Sequence, residues 1–182
     1  MENKAFSPVR TVLVLTSICA VISLLVAGVY ALTKDTIAKN NELKIQTAIS
    51  EIFPDHTEKT VLEGEFDEKI NAVYRVTGNT SGYAVDITAK GYGSDGINMM
   101  VGVSDEKKII SVVTVSASSE TPGLGQNITK QEYTDNFKGL SLGESADIIS
   151  GATISSKGVQ DGIDICLKTV GQLISGNAKE AA

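Results

Sequence analysis

A predominantly apolar stretch without one charged residue runs from Val12 to Leu32. A helix of about 20 residues spans the roughly 30 Å hydrocarbon core of a membrane. A secretory signal has a shorter apolar region, and Val29-Tyr30-Ala31 matches a cleavage site only weakly. We therefore predict an uncleaved transmembrane helix over residues 12–32, preceded by residues 1–11.

Basic residues flank this span on both sides. Lys4 and Arg10 precede it, whereas Lys34 and Lys39 follow it and are partly offset by Asp35. The excess of Lys and Arg that marks cytoplasmic loops is therefore not decisive here, and charge alone leaves the orientation open.

The apolar positions after the span recur mostly at helical spacing. They run from Ile37 to Phe53, with Leu43 out of phase, and Pro54-Asp55 then supplies a stop signal. We predict a stalk helix over residues 33–53 that continues the membrane helix.

Apolar and polar residues alternate in the middle of the chain, as they do in strands. A turn at Asn79 to Gly82 separates the first two alternating runs, and a polar connection at residues 105–108 separates the next two. The runs cover residues 72–76, 83–87, 97–104 and 109–117. This pattern predicts antiparallel hairpins in a half-buried sheet.

The last third of the chain has two parts. Residues 118–147 are rich in loop-forming residues, and apolar residues then recur at three- and four-residue intervals from Val159 to Ile174. The predicted fold class is therefore α+β: an antiparallel-sheet domain over residues 54–175, closed by an amphipathic helix. A disordered tail is predicted over residues 176–182.

Composition excludes several classes of function. The net charge is -6 and the basic residues are scattered among acids, which argues against a nucleic-acid partner. Cys19 and Cys166 belong to no CxxC or Cys/His cluster, so we predict neither an iron-sulfur nor a metal site. The chain's single histidine, His56, is expected in a solvated turn, and no catalytic residue is predicted.

The segment Gly91-Tyr92-Gly93-Ser94-Asp95-Gly96 has the spacing of a dinucleotide fingerprint. That fingerprint requires a helix after the glycines, whereas a strand pattern follows here. We therefore interpret the segment as a turn between strands.

The segment from Asp147 to Ser156 ends in SGATISS, a turn of small residues at the start of the closing helix. Helix amino termini present free N–H groups and the positive end of the helix dipole, which suit a phosphate. Ser155 or Ser156 can serve as the cap. Taken alone, the segment is also explained as an ordinary capped helix start.

A second segment, ETPGLG at residues 120–125, combines a proline, whose φ angle is fixed, with two glycines, whose φ angles are unrestricted. Such a loop can bring main-chain N–H groups close to a flat ligand, with Leu124 as an apolar contact. A turn followed by a bulge is the alternative explanation.

Together, ETPGLG and SGATISS behind one membrane span resemble the covalent FMN-binding domain family. The G subunit of Rnf complexes and the C subunit of sodium-translocating NADH:quinone oxidoreductases share this domain. The resemblance implies that a separate flavin transferase attaches FMN to Thr153 through a phosphoester. It also implies recognition of Asp147, Ser150, Gly151, Ala152 and Thr153 by that transferase.

The resemblance further implies which residues surround the cofactor. The expected set is Thr153 as the covalent attachment point, with Ser150, Gly151, Ala152, Ser155, Ser156, Glu120, Thr121, Gly123, Leu124 and Gly125. Many relatives carry a histidine just before ETPGLG, where this chain has Ser118 and Ser119, so any role of that histidine does not transfer.

The function implied by the resemblance is electron relay in a membrane complex that couples ferredoxin and NAD chemistry to sodium or proton movement. The expected partners are the other membrane and iron-sulfur subunits, and the chain is expected to have no independent activity. The resemblance implies a cytoplasmic amino terminus and an extracytoplasmic flavin domain in the cell membrane. Chain length favours the G subunit of an Rnf complex. A quinone-reductase C subunit and a membrane-tethered, non-redox ligand-binding or scaffold module remain alternatives.

Overall fold

The computed structural model describes residues 8–180, with side chains described through Gly176. The helices are α1 (Pro8–Ile52), α2 (Gln131–Thr134) and α3 (Thr153–Glu180), and the strands are β1 (His56–Leu62), β2 (Ile70–Gly78), β3 (Gly82–Ala89), β4 (Ile97–Ser104) and β5 (Ile109–Ser116). Short 3-10 turns cover Gly125–Thr129 and Asp135–Phe137. Residues 1–7 of the predicted amino-terminal segment and residues 181–182 of the predicted tail lie outside the described residues. The chain divides into two compact units, with the boundary between Leu43 and Lys44.

The first unit contains α1 up to Leu43. Within the described residues, α1 is the one helix that is long and apolar enough to cross a membrane. Its apolar side chains are exposed along the predicted span, as at Leu15, Leu24 and Leu32. In water such a band would be unfavourable, whereas lipid would cover it. The helical conformation of the span is confirmed, and the membrane bounds 12–32 stay a prediction.

The end of α1 belongs to the second unit. The helix ends at Ile52, two residues before Pro54. Leu43, which is out of phase with the other apolar positions of the stalk, is 59% exposed. Ala48, Ile49 and Ile52 are buried, and they are followed by the fully buried Phe53. The helical part of the stalk prediction is therefore confirmed, and its last turns pack into the domain core.

The five strands form one antiparallel meander in the order β1-β2-β3-β4-β5. Neighbouring strands pair as hairpins, so the connection from β3 to β4 and the last residue of β5 lie at the same end of the strands. Asn98 pairs with Ser116 at this end of the sheet. The predicted hairpins are confirmed.

Both faces of the sheet are covered at its central strands β3 and β4, so the prediction of a half-buried sheet is wrong for these two strands. Helix α3 packs on one face, and the last turns of α1 pack with Phe53 on the other. Strand β3 is consequently buried at every position except Thr88, which is half-buried. Alternation reports which way each side chain points, but not whether a distant helix covers the second face.

Strand β1 was not predicted from the sequence. Its central residues are exposed and mostly polar, and it is an edge strand that pairs only with β2. Charged residues on an edge strand discourage pairing with other chains, and they also erase the apolar alternation. His56 begins this strand, is half-buried and has its Nδ1 atom 2.7 Å from the Phe53 carbonyl oxygen, so its assignment to a solvated turn is wrong.

The predicted closing helix is confirmed as α3. Val159, Ile163, Cys166 and Val170 lie buried against the sheet, at the predicted spacing. The helix continues to Glu180, past the predicted start of the tail at Gly176, and the disorder of residues 176–182 stays a prediction.

Candidate cofactor-binding site

A cleft of about 470 Å³ opens at the first turn of α3. Sites for small molecules commonly have volumes of roughly 300–1,000 Å³. Three chain segments that are distant in sequence line the cleft: Tyr92 between β3 and β4; Thr121, Leu124 and Gly125 after β5; and Gly151, Ala152, Thr153, Ile154 and Ser155 at the start of α3. The ETPGLG and SGATISS segments therefore meet in one site.

Two glycines in α3 allow the helix to lie close to the sheet. A Cβ atom on Gly158 would overlap the carbonyl oxygen of Lys90, and one on Gly162 would overlap the side chain of Met99. The helix consequently sits directly on the end of β3. This close packing holds the first turn of α3 beside the loop that follows β3.

The turn before α3 depends on Gly151, whose φ of +81° lies in the left-handed region that glycine adopts at little cost. The buried Ala152 donates its N–H to the Ile149 carbonyl at 3.0 Å and accepts the Ser156 N–H at 2.9 Å. The predicted small-residue turn is confirmed, and the helix begins at Thr153. The first N–H groups of a helix lack intrahelical partners, so this end of α3 offers donors to an anion.

Ser155 and Ser156 lie within the first turn of α3, after its start, so the prediction that either caps the helix is wrong. Both are buried. The Ser155 hydroxyl donates to a carboxylate oxygen of Glu120, and the Ser156 hydroxyl accepts the Ile149 N–H at 3.2 Å. Both hydroxyls therefore fasten neighbouring loops to the helix. Ser155 also lines the cleft, whereas Ser156 does not.

The other two hydroxyl residues of SGATISS are accessible. Ser150 and Thr153 are exposed, and no residue in the described part of the chain hydrogen-bonds either hydroxyl. Of the two, Thr153 lines the cleft and Ser150 does not. Thr153 is thus the free hydroxyl that faces the cleft at the helix amino terminus.

Glu120 lies behind the cleft wall and not on it. Its side chain is only 1% exposed; Oε1 accepts the Gly93 N–H at 3.0 Å, and Oε2 accepts the Ser155 hydroxyl. A Cβ atom on Gly125 would lie 2.6 Å from Oε2, and one on Gly91 would overlap Oε1. One buried carboxylate therefore joins all three segments of the cleft. The family resemblance places Glu120 among the residues around the cofactor, whereas its carboxylate oxygens are used by hydrogen bonds within the protein.

The remainder of the ETPGLG loop is divided between cleft and turn. Thr121, Leu124 and Gly125 line the cleft, whereas Gly123, at φ +75°, forms the turn outside it. The Leu124 N–H donates to the Thr121 carbonyl at 3.2 Å, so this N–H group is used within the loop. The side chain of Leu124, which is 49% exposed, is the apolar part of the loop in the cleft.

Tyr92 lines the cleft and was missed by the sequence analysis, which interpreted its segment only as a turn. The turn itself is confirmed, because residues 90–96 connect β3 to β4. Nothing in local spacing marked Tyr92 as a site residue. The available signal was an aromatic residue between two glycines in a turn between strands.

Asp147 lies in a different cleft from Thr153. It is exposed and lines a cavity of about 330 Å³ with neighbours that include Lys130, Tyr133 and Ile149. The Tyr133 hydroxyl donates to the Ser156 carbonyl at 3.4 Å, and burial raises the pKa of this tyrosine. The two ends of the Asp147–Thr153 segment thus face separate surfaces.

The described residues contain no group of three or more His, Cys, Asp and Glu side chains that could hold a metal ion. Cys166 is fully buried in the core, and its burial raises the pKa of the thiol above its usual range. Cys19 is exposed on α1.

Comparisons with known proteins match the two parts of the chain separately. Residues 91–168 match the model of the FMN-binding domain family, and residues 3–52 match the model of the RnfG N-terminal region. The first match begins at Gly91 and includes every residue that lines the 470 Å³ cleft.

Full-length relatives agree with these matches. The chain is 28% identical to the G subunit of the proton-translocating ferredoxin:NAD(+) oxidoreductase complex of Clostridium ljungdahlii, over 96% of each chain. It is 30% identical to the G subunit of the ion-translocating oxidoreductase complex of Methanosarcina acetivorans, over 85% of this chain and 89% of the relative. The corresponding G subunit from Haemophilus influenzae is 29% identical over 78% of each chain.

Proposed function

This chain belongs to the family of G subunits of ion-translocating oxidoreductase complexes, and from that premise we propose that Thr153 carries FMN through a covalent phosphoester. The protein is a membrane flavoprotein subunit of such an electron-transport complex. The observation that carries the covalent assignment is the accessibility of Thr153, the one hydroxyl of SGATISS that is free and lines the cleft, beside the buried and hydrogen-bonded Ser155 and Ser156.

The residues of the cleft fit FMN in size and chemistry. A phosphodiester on Thr153 would stand at the amino terminus of α3, where free N–H groups and the helix dipole favour negative charge. Leu124, Ile154 and Tyr92 supply apolar and aromatic surface for a flat ring. When bound, FMN supplies the electron transfer that no amino-acid side chain of this cleft provides.

Attachment of FMN requires a separate transferase, because a threonine hydroxyl is a weak nucleophile without a base beside it. No described residue hydrogen-bonds the Thr153 hydroxyl, and Asp147 lines another cavity. In the proposed step, a bond forms between Thr153 Oγ1 and the phosphorus of an FMN phosphoanhydride. The P–O bond that joins FMN to the second nucleotide of the anhydride breaks, and that second nucleotide leaves as its monophosphate. The hydroxyl proton of Thr153 passes to a base of the transferase.

Thr153 then serves as a tether during turnover and takes no part as acid, base or nucleophile. Electrons pass between the flavin and redox centres of neighbouring subunits, of which the membrane and iron-sulfur subunits of an Rnf-type complex are the proposed partners. The overall reaction we propose links ferredoxin and NAD to the movement of sodium ions or protons. The chain alone is expected to have no turnover of its own.

Helix α1 anchors this relay in the membrane. We assign the amino terminus to the cytoplasm and the sheet domain to the opposite side, as the family resemblance implies. The apolar surface of residues 12–32 would then contact lipid and helices of partner subunits.

Thr153→Ala tests the covalent assignment. The full chain, co-produced with the transferase, is expected to show yellow fluorescence that stays with the denatured protein on a gel, and Thr153→Ala is expected to abolish it. Ser145→Ala is the matched control, because it removes an exposed hydroxyl that lies outside the recognition segment and should leave the band fluorescent. A colourless wild-type band would contradict the covalent flavin and favour a non-redox binding module.

Co-purification tests the complex to which the protein belongs. Affinity-tagged chain from its native membrane is expected to bring down ferredoxin- and NAD-handling iron-sulfur subunits. Recovery of the subunits of a quinone-reducing complex would contradict the Rnf assignment and would identify the chain as the C subunit of a sodium-translocating NADH:quinone oxidoreductase.

A further inference from the structure

We propose that Tyr92 is the aromatic wall against which the isoalloxazine ring of the Thr153-linked FMN packs. This inference rests on the proposed function and extends it to a residue outside both flavin motifs. Tyr92 and Thr153 line the same cleft, although β4, β5 and the loops after them separate the two residues in sequence.

The Tyr92 ring is available for such a contact. It is 69% exposed, and no hydrogen-bond or ring partner for it is found among the residues that the structure describes. The other tyrosines of the sheet domain differ: Tyr83 and Tyr133 are buried in the core, and Tyr74 is half-buried on the sheet. Tyr92 thus presents a free aromatic face to a cofactor cleft.

The backbone on both sides of Tyr92 is fixed. Gly93 donates its N–H to Glu120 at 3.0 Å, and Gly91 is buried against the same carboxylate, where a Cβ atom would not fit. The preceding carbonyl, that of Lys90, packs on Gly158 of α3. The ring is therefore carried by a short segment that is held at each end.

Glu120 also sets the relation between this segment and the flavin attachment point. Its second carboxylate oxygen accepts the hydroxyl of Ser155, two residues after Thr153 in the first turn of α3. The loop that carries Tyr92 and the helix that carries Thr153 are consequently joined through one buried side chain. Such joining preorganises two groups for a common ligand.

A phosphoester at Thr153 constrains only the phosphate end of FMN, so noncovalent contacts must position its ring. Offset stacking on an aromatic side chain is favourable for a flat conjugated system. Leu124 and Ile154 supply aliphatic surface in the same cleft, and Tyr92 is the aromatic residue among the residues that line it.

Time-resolved flavin fluorescence of the covalent holoprotein tests this placement. A tyrosine in contact with an excited flavin passes it one electron, which then returns, so the fluorescence lifetime is short without net chemistry. Tyr92→Phe keeps the shape of the ring but oxidises far less readily, and is expected to lengthen the average lifetime severalfold. Tyr92→Ala should lengthen it and also speed depolarisation, since the flavin ring loses its support.

Tyr74→Phe is the matched control, because Tyr74 lies on the sheet face covered by the end of α1, away from the cleft, and its loss should leave the lifetime unchanged. Fluorescent protein with equal lifetimes in wild type, Tyr92→Phe and Tyr92→Ala overturns the inference alone. Wild-type protein without covalent flavin overturns the inference together with the proposed function, so the two failures are distinguishable.

Discussion

Glu120→Ala is expected to lower the free energy of unfolding of the sheet domain by about 3 kcal/mol, because it leaves one half-buried and one buried donor without an acceptor. Those donors are the Gly93 N–H and the Ser155 hydroxyl. The variant also leaves a cavity where three loops meet, and is expected to carry less covalent flavin. Urea unfolding of the full chain in detergent, followed by circular dichroism, measures the loss.

Glu120→Gln separates the effect of the lost hydrogen bonds from the effect of the lost negative charge. Its amide oxygen can accept the Gly93 N–H and its amide nitrogen can donate to Ser155, so its loss of stability should stay below about 1 kcal/mol. Glu106→Ala, which removes an exposed carboxylate in the turn after β4, should leave the urea midpoint unchanged. Equal midpoints for Glu120→Ala and Glu106→Ala would contradict the role assigned to Glu120.

Gly158→Ala is expected to destabilise the domain by about 2 kcal/mol, even though alanine is the better helix former by about 1 kcal/mol. The added methyl group would overlap the carbonyl oxygen of Lys90, and a backbone atom of a strand end cannot swing aside as a side chain can. The helix would have to move away from the sheet and take Thr153 with it. We therefore expect reduced flavin attachment as well as reduced stability, measured on the same samples.

Gly171→Ala on the same helix is the control for Gly158→Ala. Apart from the backbone of its own helix, no atom lies within 4 Å of a Cβ built on Gly171, so only helix propensity should act, and the variant should gain up to about 1 kcal/mol of stability. The two substitutions are therefore predicted to change the free energy of unfolding in opposite directions. A shift of both urea midpoints in the same direction would show that the close approach of α3 to Lys90 does not matter.

Local patterns predicted much of the fold. A charge-free apolar stretch and the helical spacing after it specified α1, alternation specified the hairpins from β2 to β5, and three- and four-residue spacing specified α3. Each of these signals resides in neighbouring residues of the sequence. Strand β1 carries no such signal, because its exposed centre is held by backbone hydrogen bonds to β2 and not by buried side chains.

Long-range contacts account for what the sequence did not predict. The second covered face of the sheet depends on the end of α1, and neither the strand pattern nor the helix pattern specifies that the two meet. Similarly, Glu120 was assigned to the cofactor because it lies in the ETPGLG segment, whereas its partners Gly93 and Ser155 are distant in sequence. Tyr92 enters the cleft through the same contacts.

The cap assignment failed for a local reason. Any serine near a helix start is compatible with a capping role, and Ser155 and Ser156 were chosen by residue type alone. The turn at Gly151 starts the helix earlier, at Thr153, and this places both serines inside it. Because the helix begins at Thr153, this residue lies at the exposed start of α3.

Tandem mass spectrometry of the tryptic peptide that covers residues 139–157 is the most direct test of the central claim, because Thr153 is its single threonine. The peptide from the chain purified with its native complex is predicted to carry the mass of one FMN less one water, localised to Thr153. The peptide from Thr153→Ala should lack this mass. FMN attached to a serine of the peptide, or an unmodified peptide in flavin-containing protein, would contradict the account.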